Sequence, residues 1–205
     1  MEIKEMISLH EDFLEDFGFS LDQEIFHFIK KIPQGKQIIF FHHTQQPEVS
    51  YLEYHLGIRF DIVEVIINQF LPSSGDYQDR SITLVETVDS INKSIPRRFL
   101  VENELEINAV IKEAEHFLVK EGFKWLDEYS NPLNMERLFN DAADFSKVSQ
   151  NFTYRSARGV TLSKLYNPAE YQNVKTFYLE KLEEKQETPF TLASFLNLLD
   201  YLDNL

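Results

Sequence analysis

With 205 residues the chain is sized for one domain, and a 43% hydrophobic share that includes 18 Phe and 9 Tyr excludes a disordered polymer. A formal net charge of −14 excludes a general nucleic-acid binder, whose affinity for phosphates rests on Lys and Arg, and suits a basic partner or plain solubility. The lack of Cys removes disulfides, thiolate metal sites and a Cys nucleophile together, and fits a reducing compartment.

The charged opening Met1–Glu5 has no apolar stretch of the kind a secretion signal needs. It leads into an amphipathic pattern: Ile3, Ile7, Leu14 and Phe17 recur at helical spacing, Met6 and Phe13 widen the stripe, and Gly18 is a suitable stop. Acids crowd this region from Glu2 to Glu24 against Lys4 alone, whereas Phe145 to Ala169 carries Lys147, Arg155, Arg158 and Lys164 and no acid.

From Ile25 to Ile29 the residues are aromatic and β-branched, which predicts a strand, and Pro33-Gln34-Gly35-Lys36 predicts a turn. A second strand is expected over Gln37–Thr44. Tyr51–Phe60 alternates, with Leu52, Tyr54, Leu56, Ile58 and Phe60 on one face, and the alternation extends to Val63, Val65 and Ile67. Leu71–Arg80 reads as a loop. Ile82–Val88 fits a strand or a helix start equally, and Arg97–Val101 reads as a strand.

Beyond it the period becomes helical. Leu105, Ile107, Val110, Ile111, Ala114, Phe117 and Leu118 form a stripe closed by Gly122, and a further helix is expected from Pro132 through Phe145. Asn167-Pro168-Ala169-Glu170 and Thr188-Pro189 each read as a helix start. The last helix carries Leu192, Phe195, Leu196, Leu199 and Leu202, with Leu198, Tyr201 and Leu205 beyond the stripe, so it belongs in a core or in a homodimer contact.

The expected fold is α+β, a single domain over residues 1–205. An antiparallel β-meander of about four to five strands in the N-terminal half would be flanked by an N-terminal helix and a C-terminal helical layer. No apolar run reaches the roughly 18 residues of a membrane span, so the expected location is the cytoplasm.

Chemistry is harder to place. The six Gly are isolated, so neither phosphate-loop glycine pattern occurs, and there is no nucleophile elbow. Pairing across the Thr44–Ser50 turn brings His42 or His43 towards His55 and Glu53, a donor set that suits a divalent cation. Neighbours on a strand face opposite ways, so only one of His42 and His43 can join. The expectation is no metal and no cofactor, with His43, Glu53 and His55 as the residues to inspect. Glu53, Asp61, Glu64 and Glu86 lie in or near strands, where a buried acid serves as a general acid or base.

The preferred ligand-binding residues are Arg97, Arg155 and Arg158, whose guanidinium forks suit carboxylate or phosphate. The competing reading is that these arginines pair with acids of the same molecule. The expected function is a non-enzymatic interaction protein, immunity-like, for a basic protein partner. The alternatives are a hydrolase using carboxylates or a His-bound metal, and a small-anion sensor.

The aromatic strand Gln37-Ile38-Ile39-Phe40-Phe41, the Leu56-Gly57-Ile58-Arg59 strand and the helix ending Glu121-Gly122-Phe123-Lys124-Trp125-Leu126 together resemble bacterial α+β families of unknown function. The resemblance covers roughly the first two-thirds of the chain and implies a fold but no activity.

Overall fold

A computed structural model describes residues 3–46, 49–72, 78–101, 104–141 and 151–205, with all their side chains except those of residues 3, 4, 104 and 105. In chain order the elements are α1 (Ile3–Asp16), β1 (Ser20–Asp22), β2 (His27–Ile32), β3 (Gly35–Gln45), β4 (Ser50–Phe60) and α2 (Asp61–Ile67). Then come β5 (Leu84–Thr87), α3 (Val88–Ile91), β6 (Phe99–Val101), α4 (Glu104–Phe117), a π-helical turn (Leu118–Gly122) and α5 (Phe123–Tyr129). Four helices close the chain: α6 (Pro132–Asn140), α7 (Phe152–Tyr166), α8 (Tyr171–Glu184) and α9 (Pro189–Asp203). The fold class is α+β, as expected. No helix among the described residues is long and apolar enough to cross a membrane.

Packing gathers the chain into two compact units, Met1–Ile58 with Leu84–Glu128, and Arg59–Thr83 with Tyr129–Leu205.

The first unit is built on an antiparallel sheet in the order β1-β2-β3-β4-β5, with β6 pairing β4 at Ser50–Leu52 while β5 pairs it at His55–Ile58. Pro33 and Gln34 make the tight turn that lets Ile32 pair with Gly35. One sheet face carries Phe28, Ile39, Phe41, Leu52, Tyr54 and Leu56, all buried. α1 covers this face with Met6, Ile7, His10 and Leu14, positions that repeat at helical spacing. His10 lies within it: its ring is 4.8 Å from that of Phe41, and its Nε2 is 2.7 Å from the Tyr54 hydroxyl. Gly18, at φ 83, ends α1 as its sequence predicts.

Two expectations in this unit need correction, and one open alternative is resolved. The first strand begins at His27, not Ile25, because Phe26 takes a left-handed φ of 56, and β1 is a separate, three-residue edge strand. Ile82–Val88 resolves into β5 followed by the short α3. Gly122 does not end its helix: α4 runs through the π-turn into α5. A Cβ on Gly122 would lie 2.9 Å from Leu118 Cδ2 and 3.2 Å from Leu56 Cδ2, so this glycine serves close packing against β4.

The second unit is helical. Its core joins Ile66 and Ile67 of α2, Ala157 and Val160 of α7, Tyr178 and Leu182 of α8, and Phe195, Leu198, Leu199 and Leu202 of α9. Each such large apolar side chain contributes about 1.5–3 kcal/mol on burial. The alternation at Val63, Val65 and Ile67 belongs to α2 and does not extend β4. Val63, Glu64, Ile66 and Ile67 are buried and Ile62 and Val65 are half exposed, the spacing of a helix face.

α6 stops at Asn140 with Asp141 extended, short of Phe145, which lies outside the described residues, as do residues 73–77 of the Leu71–Arg80 loop. α8 starts at Tyr171, later than Asn167-Pro168 suggests, because residues 168–170 first form a turn. α9 begins at Pro189, where the Thr188 side chain accepts from the Thr191 N–H, and its Leu196 faces outward. α7 was not expected: it is buried almost throughout from Arg155 to Ser163.

Candidate functional site

The sheet face opposite α1 collects the imidazoles. Alternation along β3 puts Phe40 and His42 on this face and Phe41 and His43 on the other. From β2, the His27 ring lies 4.6 Å from Phe40, and from β4 the His55 ring stacks on the far side of Phe40 at 4.8 Å and 6°. His42 approaches His55 at 4.7 Å. The partner of His55 is thus His42, and His43 stands on the wrong face to join it.

Two residues before His55 on the same face, Glu53 is buried, and its carboxylate takes hydrogen bonds from two consecutive arginines. Arg97 donates from Nε and Nη2 to Oε1 at 3.3 Å each, and Arg98 donates from Nε to Oε2 at 2.9 Å. The pairing of β6 with β4 makes this meeting, because Phe99 sits opposite Leu52 and the residues before it pass over Glu53. Burial alone would raise the Glu53 pKa. The hydrogen bonds from Arg98 and Arg97, the charge of Arg97 and the neighbouring His55 outweigh it and hold the carboxyl below its ordinary value.

His55 behaves oppositely. Burial, then the nearby charge of His42, push its pKa down to about 4 against the pull of Glu53. The 3.3 Å approach of His55 Nε2 to Glu53 Oε1 is therefore not an ion pair at neutral pH, and Nε2 is buried without a hydrogen-bond partner. A carboxylate pinned by two guanidinium groups and an imidazole that stays neutral do not make an acid–base pair near pH 7. The arrangement is suited to binding. Among the described residues no group of three or more His, Asp or Glu has the geometry to hold a metal ion.

The other preferred arginines lie inside the second unit, away from solvent. Arg158 donates from Nε to Glu64 Oε1 at 2.8 Å and from Nη2 to Oε2 at 2.9 Å, both side chains buried. Thr83 Oγ1 adds a bond to Oε1 at 2.9 Å. Burial would raise the Glu64 pKa, but the Arg158 charge and hydrogen bonds, with those of Ser81 and Thr83, hold it low. Arg155 donates from Nη2 to the Phe139 carbonyl. Asp61 is exposed and accepts from Arg59 Nε at 2.7 Å, and Glu86 is half-buried on β5. Gly159 offers no backbone to an anion, because a Cβ there would meet Tyr178 Cε2 at 2.6 Å and Asn140 Oδ1 at 2.7 Å.

A third place was not singled out in the sequence. A cleft of about 280 Å³ opens between α1 and the β1–β2 turn, lined by Ile7, Ser8, Glu11, Leu21, Gln23 and Phe26. Phe26 is the residue with φ 56, a conformation that costs a residue with a Cβ on the order of 1–3 kcal/mol. Glu15 follows Glu11 by one helical turn, and Glu24 lies in the turn between Gln23 and Phe26. None of these three acids is in an ion pair among the described residues. The signal for this site was split between a helix and a turn, and only the fold joins them. No family model, curated protein or solved structure matches the chain.

Proposed function

We propose that this chain is an interaction protein that docks a basic, partly apolar segment of a partner protein in the cleft between α1 and the β1–β2 turn. The carrying observation is an apolar floor (Ile7, Leu21, Phe26) with Glu11 in its wall and Glu15 and Glu24 next to its lining in the chain, three acids in no ion pair among the described residues. An apolar anchor surrounded by complementary charge is a common form of protein recognition, in which the anchor supplies affinity and the charges supply rate and selectivity. The net charge of −14 extends the same preference over longer distances. Neutralising a basic protein is one task such a surface performs.

The test is calorimetric titration with a synthetic peptide alternating Lys and Leu, and with its Glu-for-Lys analogue, at low and high salt. The reading expects the Lys peptide alone to bind, weaker at high salt, and about tenfold weaker to a Glu11→Lys variant. Equal binding of the two peptides, or indifference to Glu11→Lys, would sink it.

A further inference from the structure

On the imidazole face of the first unit, we infer a second ligand site: Arg97 and Arg98 form a clamp for a phosphoryl group. Both side chains are mostly in solvent, 62% and 66% exposed, although both are tied to Glu53. Arg97 spends Nε and Nη2 on Glu53 and Arg98 spends only Nε, so most of their N–H donors point outward.

Three physical points favour an anion here. The two arginines exceed Glu53 by one positive charge, in a chain that is otherwise strongly acidic. Long surface side chains ordinarily lose rotamer freedom on gripping a ligand, and Glu53, itself buried, has already fixed these two. Of the neighbours, His55 is neutral at neutral pH, His42 lies beside it, and Asp89 is the other acid that acts on His55.

The geometry also selects among anions. Glu53 takes three N–H bonds on the inner side, Oε1 from Arg97 and Oε2 from Arg98, and so holds the two guanidinium groups side by side. Two adjacent guanidinium groups with unspent N–H donors can serve more oxygens than the two of a carboxylate, which suits the tetrahedral oxygens of a phosphoryl group. The site is separate from the acidic cleft and does not depend on the reading given for it.

The experiment follows the arginine Nε–H signals of the whole chain by NMR during titration with inorganic phosphate, phenyl phosphate, acetate and chloride at matched ionic strength. The expected result is saturable shifts at Arg97 and Arg98 with a phosphoryl compound, and at least about tenfold weaker binding, measured by calorimetry, in the R97Q/R98Q double variant. Tighter binding of phenyl phosphate assigns the group to an ester, and tighter binding of inorganic phosphate assigns it to the free ion. Because loss of both charges strands Glu53, an R97K/R98K variant serves as the folded control; it keeps the charges, loses the forks and should bind several-fold more weakly. Shifts no larger with phosphate than with chloride or acetate overturn the proposal. So does a folded R97K/R98K variant that binds as tightly as the parent.

Discussion

Arg158 grips Glu64 through both carboxylate oxygens, at 2.8 and 2.9 Å, with neither side chain reaching solvent. The pair links α7 to α2, and Thr83 Oγ1 completes the set around Oε1. Breaking one side of such a pair leaves a buried charge without a counter-charge, at a cost of about 3–5 kcal/mol, whereas replacing both sides with apolar groups of similar volume is close to neutral. Arg158→Met should therefore lower the urea midpoint sharply. The Arg158→Met/Glu64→Leu double variant should recover most of the loss. A double variant as unstable as the sum of the two single variants would contradict this account.

His10 makes stability depend on pH. Its Nδ1 is 2.9 Å from the Met6 carbonyl, which can only accept, so Nδ1 carries the proton and Nε2 accepts from the Tyr54 hydroxyl at 2.7 Å. Burial lowers the His10 pKa, with the Met6 bond opposing it, and burial lowers that of His55 to about 4. Both are below the unfolded value near 6.5, so the unfolded chain binds protons that the folded chain refuses. Stability from these two groups is complete above about pH 6.5 and is lost as pH falls from there towards 4. Denaturation midpoints across that range should fall, and His10→Gln should flatten the decline. An unchanged slope in that variant would remove His10 from the explanation.

What the sequence made legible followed from periodicity. α1, β4 and α9 announce themselves because their buried faces are apolar, so the 3.6 and 2.0 repeats stand out, and β3 is marked by a continuous apolar run. α7 is the opposite case. Its buried positions include Arg155, Ser156, Arg158, Gly159, Thr161 and Ser163; the two arginines find their partners on α6 and α2, Ser156 and Ser163 bond backbone four residues away, and no apolar stripe marks the helix. Arg155 and Arg158 consequently read as ligand-binding residues with no element assigned to them. Val63, Val65 and Ile67 misled for another reason: alternate β-branched residues fit a strand, and only the burial of Glu64 beside Val63 reveals the helix. For the site, the sequence supplied Glu53 and His55 together in one donor set and Arg97 as a separate candidate. Their meeting depends on β6 pairing with β4, a contact across 44 residues between Glu53 and Arg97, which local pattern does not encode.

At Gly159, α7 lies close against α8 and Asn140. A Cβ there would lie 2.6 Å from Tyr178 Cε2 and 2.7 Å from the Tyr178 hydroxyl oxygen, which itself donates to the Phe139 carbonyl at 2.8 Å. In an ordinary helix interior, Gly→Ala gains about 1 kcal/mol from propensity. Here the side chain must displace a buried, hydrogen-bonded tyrosine, and overpacking of that kind costs about 1–3 kcal/mol. Gly159→Ala should thus destabilise, read as a lower thermal midpoint. A Tyr178→Phe background should relieve only part of the loss, because Cε2 remains in the way.

Phe26 separates strain from binding. Its φ of 56 is readily adopted by glycine, so Phe26→Gly removes a backbone penalty on the order of 1 kcal/mol while deleting the largest apolar surface of the cleft. The residue is only partly buried, so the side-chain loss and the backbone gain should nearly cancel in folding stability. Binding has no such compensation. The Lys-Leu peptide should bind the Phe26→Gly variant at least several-fold more weakly, at an unchanged salt slope, because the acids remain in place. Glu11→Lys should instead lower the salt slope. If both variants altered only the slope, or only the affinity at fixed slope, the cleft would not divide its work between an apolar floor and a charged rim.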